Sequence, residues 1–453
     1  MSKPLITVYI PSHNYGRFLQ NATDSVLRQT VENWELLIID DASVDNTREI
    51  MRLYEQHPKI RTFYTEGIGL PAVCNLALRE AKGDYIVRLD ADDLFDENIL
   101  LILGHYLDIN LDCALVFPDY YLVDDFGEIF AHEKRTRVTE QNHMLDMPPN
   151  GACTLIRRSI LESLGGYRED LGAQDGFDLW SRVRNEYKTA NVNLPLFYYR
   201  RHGDNLTSST SRILAARQQI KKDAVCDKLD NNRPVIAVIP CRRNYDFLPD
   251  LWNQKLGKVS LLEMGISVCL ASKIIDHVVV ACDNEEAQNT LNAFSDDRLS
   301  FHLRDPKNTI RTESIVPTLR SIADIYDPDY QGIMIQRYLQ TPFVTTNTLE
   351  EAITTLVMND ADSAHGVEQI KSEVFKRVPH GLEVLNKKSL IYSDFDMLFR
   401  DTNTFTASYS RNLKHGSLDG ATIISFEVSA AEPFFINSER DFHIANLIAN
   451  HNE

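Results

Sequence analysis

The chain has 453 residues, 43% of them hydrophobic and 25% charged, and its 47 basic and 65 acidic side chains leave a formal net charge of −18. Neutralising a nucleic-acid backbone takes a basic face, so no nucleic-acid partner is expected, whereas a bound cation keeps phosphorylated substrates open. The length implies two or three domains, and with no uninterrupted apolar run near about 18–20 residues no membrane span is expected, while peripheral membrane contact stays possible without being indicated.

In chain order, Leu5–Ile10 reads as a strand, Phe18–Gln29 as a helix, and Trp34–Ile39 as an apolar strand ending at Asp40 and Asp41. Asp45-Asn46-Thr47 supplies a capping residue type and opens a helix to about Gln56. Arg61–Tyr64 is a short strand, Ala72–Ala81 a helix and Tyr85–Leu89 a further strand. This alternation predicts a largely parallel sheet with helices on both faces. Residues 207–228 are polar and helical in pattern, and Asp230-Asn231-Asn232-Arg233-Pro234 breaks the chain. A second series then begins, with strands at Val235–Ile239, His277–Ala281 and Gly332–Ile335 and helices at Ser260–Ser272, Ile315–Ile325 and Thr348–Asn359. The expected fold class is α/β in both halves, with domains at 1–230, including a helical linker at about 207–230, and 231–453. Residues 6–19 are weakly echoed by 236–248, strand then proline then polar loop in each case.

The chemistry concentrates in Tyr85-Ile-Val-Arg-Leu-Asp-Ala-Asp-Asp93, an apolar strand ending in Asp90, Asp92 and Asp93. Carboxylates at the C-terminal end of a strand lie where open α/β sheets bind ligands. Such oxygen donors suit Mn²⁺ or Mg²⁺, which in turn suits a diphosphate. The seven cysteines (74, 113, 153, 226, 241, 269 and 282) are odd in number and include no Cys-x-x-Cys pair. A disulfide framework or zinc site is not expected. The N-terminus has no signal-peptide layout, and a cytoplasmic location is the simplest expectation.

Residues 6 to about 207 resemble inverting family-2 glycosyltransferases of the GT-A fold. The resemblance rests on an ordered set: Ile10-Pro-Ser-His-Asn-Tyr15, Ser25-Val-Leu-Arg-Gln-Thr30, Trp34 to Thr47, Ala81 to Asp93, Gly165-Gly-Tyr167, Gln174-Asp-Gly-Phe-Asp-Leu-Trp180 and Tyr199-Arg-Arg-His202. It implies that Asp41 accepts from the nucleotide base and that Pro11 and His13 line base and ribose. Asp90 would serve the ribose or support the metal, Asp92 would bind the metal, and Asp93 would share either task. His202 would face the metal or diphosphate, and Arg200 and Arg201 would hold phosphate oxygens. Asn75 would contact the donor, although Cys74 stands before it where the family often has arginine, which puts one diphosphate or base contact in doubt. Asp175 would be the general base that deprotonates the acceptor hydroxyl, with Asp178 the nearby alternative. The implied donor is a UDP-sugar, and the implied acceptor a glycan or glycoconjugate of bacterial surface synthesis.

Residues 234 to the end resemble the cytidylyltransferases that activate sialic and related acids, through Val235 to Pro240, Ser272 to Asp283, Asp360 to Ser363 and Ser438 to Phe442. The resemblance implies two Rossmann-like α/β domains, GT-A then nucleotidyltransferase-like, and self-association through the second. Its chemistry reads as degenerate. The loop Cys241-Arg-Arg-Asn-Tyr-Asp-Phe247 lacks the family's glycines, Asp246 falls near its lysine, and Phe435 and Asn437 stand at its two magnesium-holding aspartates. Two other readings compete: a bifunctional enzyme that also activates a nonulosonic acid with CTP, and a non-catalytic two-domain scaffold.

Overall fold

The computed structural model describes residues 6–135, 151–171, 175–184, 186–202, 210–310, 312–370, 372–385, 398–428 and 431–451. Leu5, Gln174 and residues 207–209 lie outside them. Contacts divide the chain into Met1–Ile220 and Lys221–Glu453. The helix Thr210–Asp230 straddles that division, whereas its sequence pattern assigns it wholly to the first domain. Its second half carries Lys221 and Lys222, which pair with Glu351 and Glu350, and Val225 and Leu229, which join the second unit's core.

In the first unit the elements are β1 (Ile6–Ser12), α1 (Gly16–Leu27), β2 (Trp34–Asp41), α2 (Thr47–Arg52), β3 (Ile60–Thr65), α3 (Leu70–Glu80), β4 (Tyr85–Arg88) and β5 (Leu94–Phe95). They continue as α4 (Ile99–Ile109), β6 (Cys113–Val123), β7 (Ile129–Glu133), β8 (Leu155–Arg157), α5 (Arg158–Ser163), α6 (Asp175–Arg184), β9 (Lys188–Arg200) and α7 (Thr210–Asp230). One sheet runs β3-β2-β1-β4-β8-β6-β9-β5, with β7 on β6. Its first four strands are parallel. All eight residues of β2 are buried, as expected of a strand covered on both faces. The other half departs from the parallel expectation: β8 is antiparallel to both β4 and β6, and β5 to β9. The chain turns from β1 towards β2 while β4 lies on β1's other side, which makes the β1/β4 edge the switch point where such sheets open a crevice.

The second unit contains β10 (Val235–Pro240), β11 (Lys255–Leu256), β12 (Val259–Ser260), α8 (Leu261–Leu270), β13 (His277–Cys282), α9 (Gln288–Leu291), β14 (Leu299–Leu303), α10 (Val316–Tyr326) and β15 (Ile333–Arg337). After these come α11 (Thr346–Met358), β16 (Ser363–Gln369), β17 (Phe375–Val378), β18 (Gly381–Val384), β19 (Phe399–Tyr409), β20 (Ile423–Glu427) and α12 (Glu439–His451). Its main sheet is ordered β14-β13-β10-β15-β19-β16-β20. The first four strands are again parallel, and β19 is antiparallel to its neighbours. The echoed segments 6–19 and 236–248 therefore begin on equivalent central strands. They differ beyond the strand. Residues 16–27 form a full helix, whereas 241–254 form a loop with one 3₁₀ turn at Leu251–Asn253. The helix α8 starts on a capping box between Ser260 and Glu263, which satisfies two otherwise unpaired amides.

Gly165 and Gly166 both have left-handed φ, +79° and +74°. A Cβ on Gly165 meets nothing within 4 Å, while one on Gly166 would lie 2.5 Å from Asn75 Oδ1. Gly165→Ala should therefore lose roughly 1 kcal/mol of stability from backbone conformation alone, and Gly166→Ala at least about twice that. Urea denaturation of both variants checks this, and equal losses would contradict the close approach of Asn75.

Candidate functional site

At the C-terminal ends of β1 and β2 two loops are stitched together. The Asn14 amide N–H donates to Ser43 Oγ at 2.8 Å, and Val44 N–H to Asn14 Oδ1 at 2.8 Å. His13 Nδ1 lies 2.5 Å from the Asp41 carbonyl oxygen. Pro11 is half-buried within β1, opposite Ile39. Asp41 Oδ1 accepts from Thr65 Oγ1 at 2.6 Å and Ile68 N at 2.7 Å, and Oδ2 from Gly69 N at 2.8 Å. Burial acts to raise its pKa, but the Thr65 hydroxyl and the Ile68, Gly69 and Gly67 amides hold it below the usual carboxylate value.

The acidic turn after β4 is organised by β9, which reaches it through the antiparallel pairs Leu94↔Tyr198 and Phe95↔Phe197. That pairing brings His202 Nε2 to 2.9 Å from Asp92 Oδ2, although 110 residues separate them. Phe18 and Tyr15 pack against the imidazole at 5.4 and 5.7 Å between ring centroids. Among the described residues no group of three or more His, Cys, Asp or Glu side chains converges as a metal cage. The pair present still fits a Mg²⁺- or Mn²⁺-type ion, which takes one or two protein ligands and completes its shell with water and substrate phosphate. Two donors about 2.1 Å from one ion and at right angles to it lie roughly 3 Å apart, close to the Asp92–His202 separation.

For three of the expected site residues the structure shows side chains engaged within the protein. Arg200 is 2% exposed. Its Nε donates to the Asp92 carbonyl at 2.8 Å and Nη1 to the Asp124 and Asp125 carbonyls at 2.9 Å, while the plane sits 4.7 Å from the Phe18 ring. This is a brace beneath the acidic turn rather than a phosphate ligand. Arg201, exposed beside it, keeps its side chain over Tyr199. Asp93 is 1% exposed and its Oδ1 accepts the Arg200 amide at 2.8 Å, so it offers no open face to an ion. Burial and the neighbouring Asp92 and Asp90 charges push its pKa well up, which favours the neutral acid. Asn75 donates to the Tyr167 carbonyl at 2.9 Å and Glu169 Oε1 at 2.8 Å, and accepts the Tyr167 amide at 2.8 Å. Its amide is committed to the Gly165-Gly166-Tyr167 turn, not to a donor.

Asp175 and Asp178 separate cleanly. Asp178 is buried and paired with Arg182, which also grips the Leu164 and Gly166 carbonyls. Asp175, the first residue of α6, faces the acidic turn through Arg88. The Arg88 Nη1 donates to Asp175 Oδ2, and its Nε stands 2.9 Å from Asp90 Oδ1. In the sequence Arg88 passes as part of an apolar strand. A charged residue inside an otherwise apolar run is the signal that could have found it.

Two family models match: Glycosyl transferase family 2 over residues 7–165, and Cytidylyltransferase over 236–415. The chain joins a family 2 glycosyl transferase domain to a cytidylyltransferase domain. Similar proteins include the chondroitin synthase of Pasteurella multocida (strain Pm70), 28% identical over 257 residues, which cover 51% of this chain and 26% of that one. The hyaluronan synthase of Pasteurella multocida is 25% identical over 435 residues, covering 92% of this chain and 41% of that one. The putative teichuronic acid biosynthesis glycosyltransferase TuaG of Bacillus subtilis (strain 168) is 35% identical over 127 residues, covering 28% and 50%. The chain thus spans half or less of the length of these relatives.

In the cytidylyltransferase domain the loop after β10 is filled rather than open. Tyr245, Leu251, Leu256 and Leu261 pack with Ile436 and Ala445, and Phe247, Leu248 and Phe434 close over them. Asp246 is exposed, and Arg242 lies over the Tyr245 ring at 4.8 Å. Asn437 precedes the start of α12, where Ser438 and Asp441 bond each other. Among the described residues no helix is long and apolar enough to cross a membrane.

Burial raises the Asp90 pKa, Arg88 opposes it, and the Asp92 and Asp175 charges raise it again, to about 6. Carbonyl-detected NMR of the ligand-free protein should find Asp90 titrating near pH 6. Asp175→Asn removes one like charge and leaves Arg88 to Asp90 alone, so the midpoint should fall. A wild-type midpoint in the ordinary aspartate range would contradict the crowding.

Proposed function

We propose that the chain is a metal-dependent inverting glycosyltransferase that moves a sugar from a UDP-sugar to a hydroxyl of a glycan or glycoconjugate in bacterial surface synthesis. The observation that carries the reading is the meeting, at the β1/β4 switch point, of Asp90, Asp92, Asp175 and His202 from three separate stretches of chain. The similarity to two polysaccharide synthases and a putative teichuronic acid glycosyltransferase supports the product class.

Each residue has its own task. The loops bearing Pro11, His13 and Asp41 receive the base, and Asp90 the ribose. Asp92 and His202 hold Mn²⁺ or Mg²⁺, which when bound neutralises the departing diphosphate. Arg201 is the exposed cation available to phosphate oxygens. Asp175 takes the acceptor's proton as its oxygen attacks the anomeric carbon from the face opposite the leaving group, which inverts the configuration. Asp93 and Arg200 hold the turn from beneath.

The cytidylyltransferase domain serves binding or self-association and not cytidylyl transfer. Supporting this, the loop after β10 packs Tyr245, Phe247 and Leu248 with Phe434 and Ile436 and has no glycine from Cys241 to Phe247 to let a triphosphate approach the backbone.

Asp92→Ala should abolish metal-dependent donor binding and turnover with the fold retained, a loss of several kcal/mol of transition-state stabilisation. Asp175→Asn should keep donor affinity and lower turnover by about 10²-fold or more, whereas Asp178→Asn should lower stability first. Hydrolysis of a panel of UDP-sugars with Mn²⁺, alongside calorimetric UDP binding, separates these outcomes. Near-normal turnover of Asp92→Ala would defeat the metal assignment.

For the second domain, the full chain should release no pyrophosphate from CTP with magnesium and sialic, legionaminic or pseudaminic acid. Release above a no-sugar control would restore the bifunctional reading.

A further inference from the structure

Arg88 is a cation sealed inside the glycosyl transferase domain, 6% exposed at the end of β4. The polar groups beneath it carry no compensating charge. Its Nη1 lies 3.8 Å from Cys74 Sγ, and burial pushes that thiol up to about 11. Tyr9 and Tyr167, hydrogen-bonded to each other at 3.0 Å below the thiol, are likewise held neutral by burial. Its two carboxylate partners are Asp90, in the turn after β4, and Asp175, at the start of α6.

The wall beside this pair is built to the same purpose. Ala152 bridges to Arg88 alongside β4, and the Cys153 amide donates to the Arg88 carbonyl at 2.8 Å. The residue before them is Gly151. A Cβ there would lie 2.7 Å from Arg88 Nη2 and 2.8 Å from Asp175 Oδ2, so the backbone passes directly over the ion pair and only glycine leaves the two groups where they are.

We infer that Arg88 is the positioning residue of the transfer reaction: its Nη1 fixes the Asp175 carboxylate towards the acceptor oxygen while its Nε edge faces Asp90 as an ion pair, beside the donor. The inference rests on the reading of Asp175 as base. The planar fork matters as well as the charge, since a lysine ammonium reaches one carboxylate as a point charge and does not set the angle between two.

A residue that acts through another loses its effect when the other is gone. The test is a double-mutant cycle on the full chain with Arg88→Gln, Arg88→Lys, Asp175→Asn and Arg88→Gln/Asp175→Asn. The readout is hydrolysis of UDP-sugars with Mn²⁺, where water takes the acceptor's place. Arg88→Gln should lower kcat about 30-fold or more and change donor KM less than about threefold. Arg88→Lys should recover part of kcat. In the Asp175→Asn background, Arg88→Gln should cost less than about threefold. Additive losses, or a kcat unchanged in Arg88→Gln, overturn the inference. If melting shows that Arg88→Gln does not fold, Arg88→Lys alone and with Asp175→Asn completes the same cycle. Wild-type protein that turns over no UDP-sugar overturns the glycosyltransferase reading itself and this inference with it, an outcome distinct from additivity in an active enzyme.

Discussion

Carboxylates gathered at the ends of parallel strands repel one another, and a fold that gathers them must bring a countercharge or leave some of them protonated. The N-terminal unit does both. Arg88 is shared between Asp90 and Asp175, while Asp93 is turned inward and kept neutral beneath the Arg200 amide. Beside them Asp92, whose side chain is 12% exposed, pairs with the covered imidazole of His202.

That balance depends on strand order. The parallel run β3-β2-β1-β4 delivers the loops bearing His13, Asp41 and Asp92 to one end of the sheet, and the antiparallel pairing of β5 with β9 returns His202 and Arg200 to the same end. Arg200 then ties the acidic turn to the turn after β6 through main-chain carbonyls, so a cation that looks free in the sequence is spent on rigidity. Catalytic groups held within a fraction of an ångström need such support.

The two units show how one strand order carries opposite fates. Each places its first strand within a run of four parallel strands and then adds antiparallel pairing. In the first, the loop after that strand carries polar groups bonded to the next loop. In the second, the equivalent loop buries Tyr245 and Leu251 against Ile436. The architecture is common to both, and the function lies in the side chains grafted onto it.

The first four parallel strands of the first half and β10, β13 and β15 of the second, with helices between them, and the acidic turn after Tyr85–Arg88, were legible in the sequence, because periodicity and motif order are local properties of the chain. The helix opened at Thr47 is shorter than its pattern, ending at Arg52. The partners of Arg88, Asp93, Asn75 and Arg200 were not legible, nor were the antiparallel pairings of β8 and β5 in the first sheet. Each depends on a partner far along the chain: Asp175 lies 87 residues from Arg88, Tyr167 lies 92 from Asn75, and Asp92 lies 108 from Arg200. A sequence states which groups can donate, accept or carry charge. Only the packed structure decides which of them are sealed from water and who their partners are, since burial converts the same arginine or aspartate from a ligand for substrate into a fixed part of the scaffold.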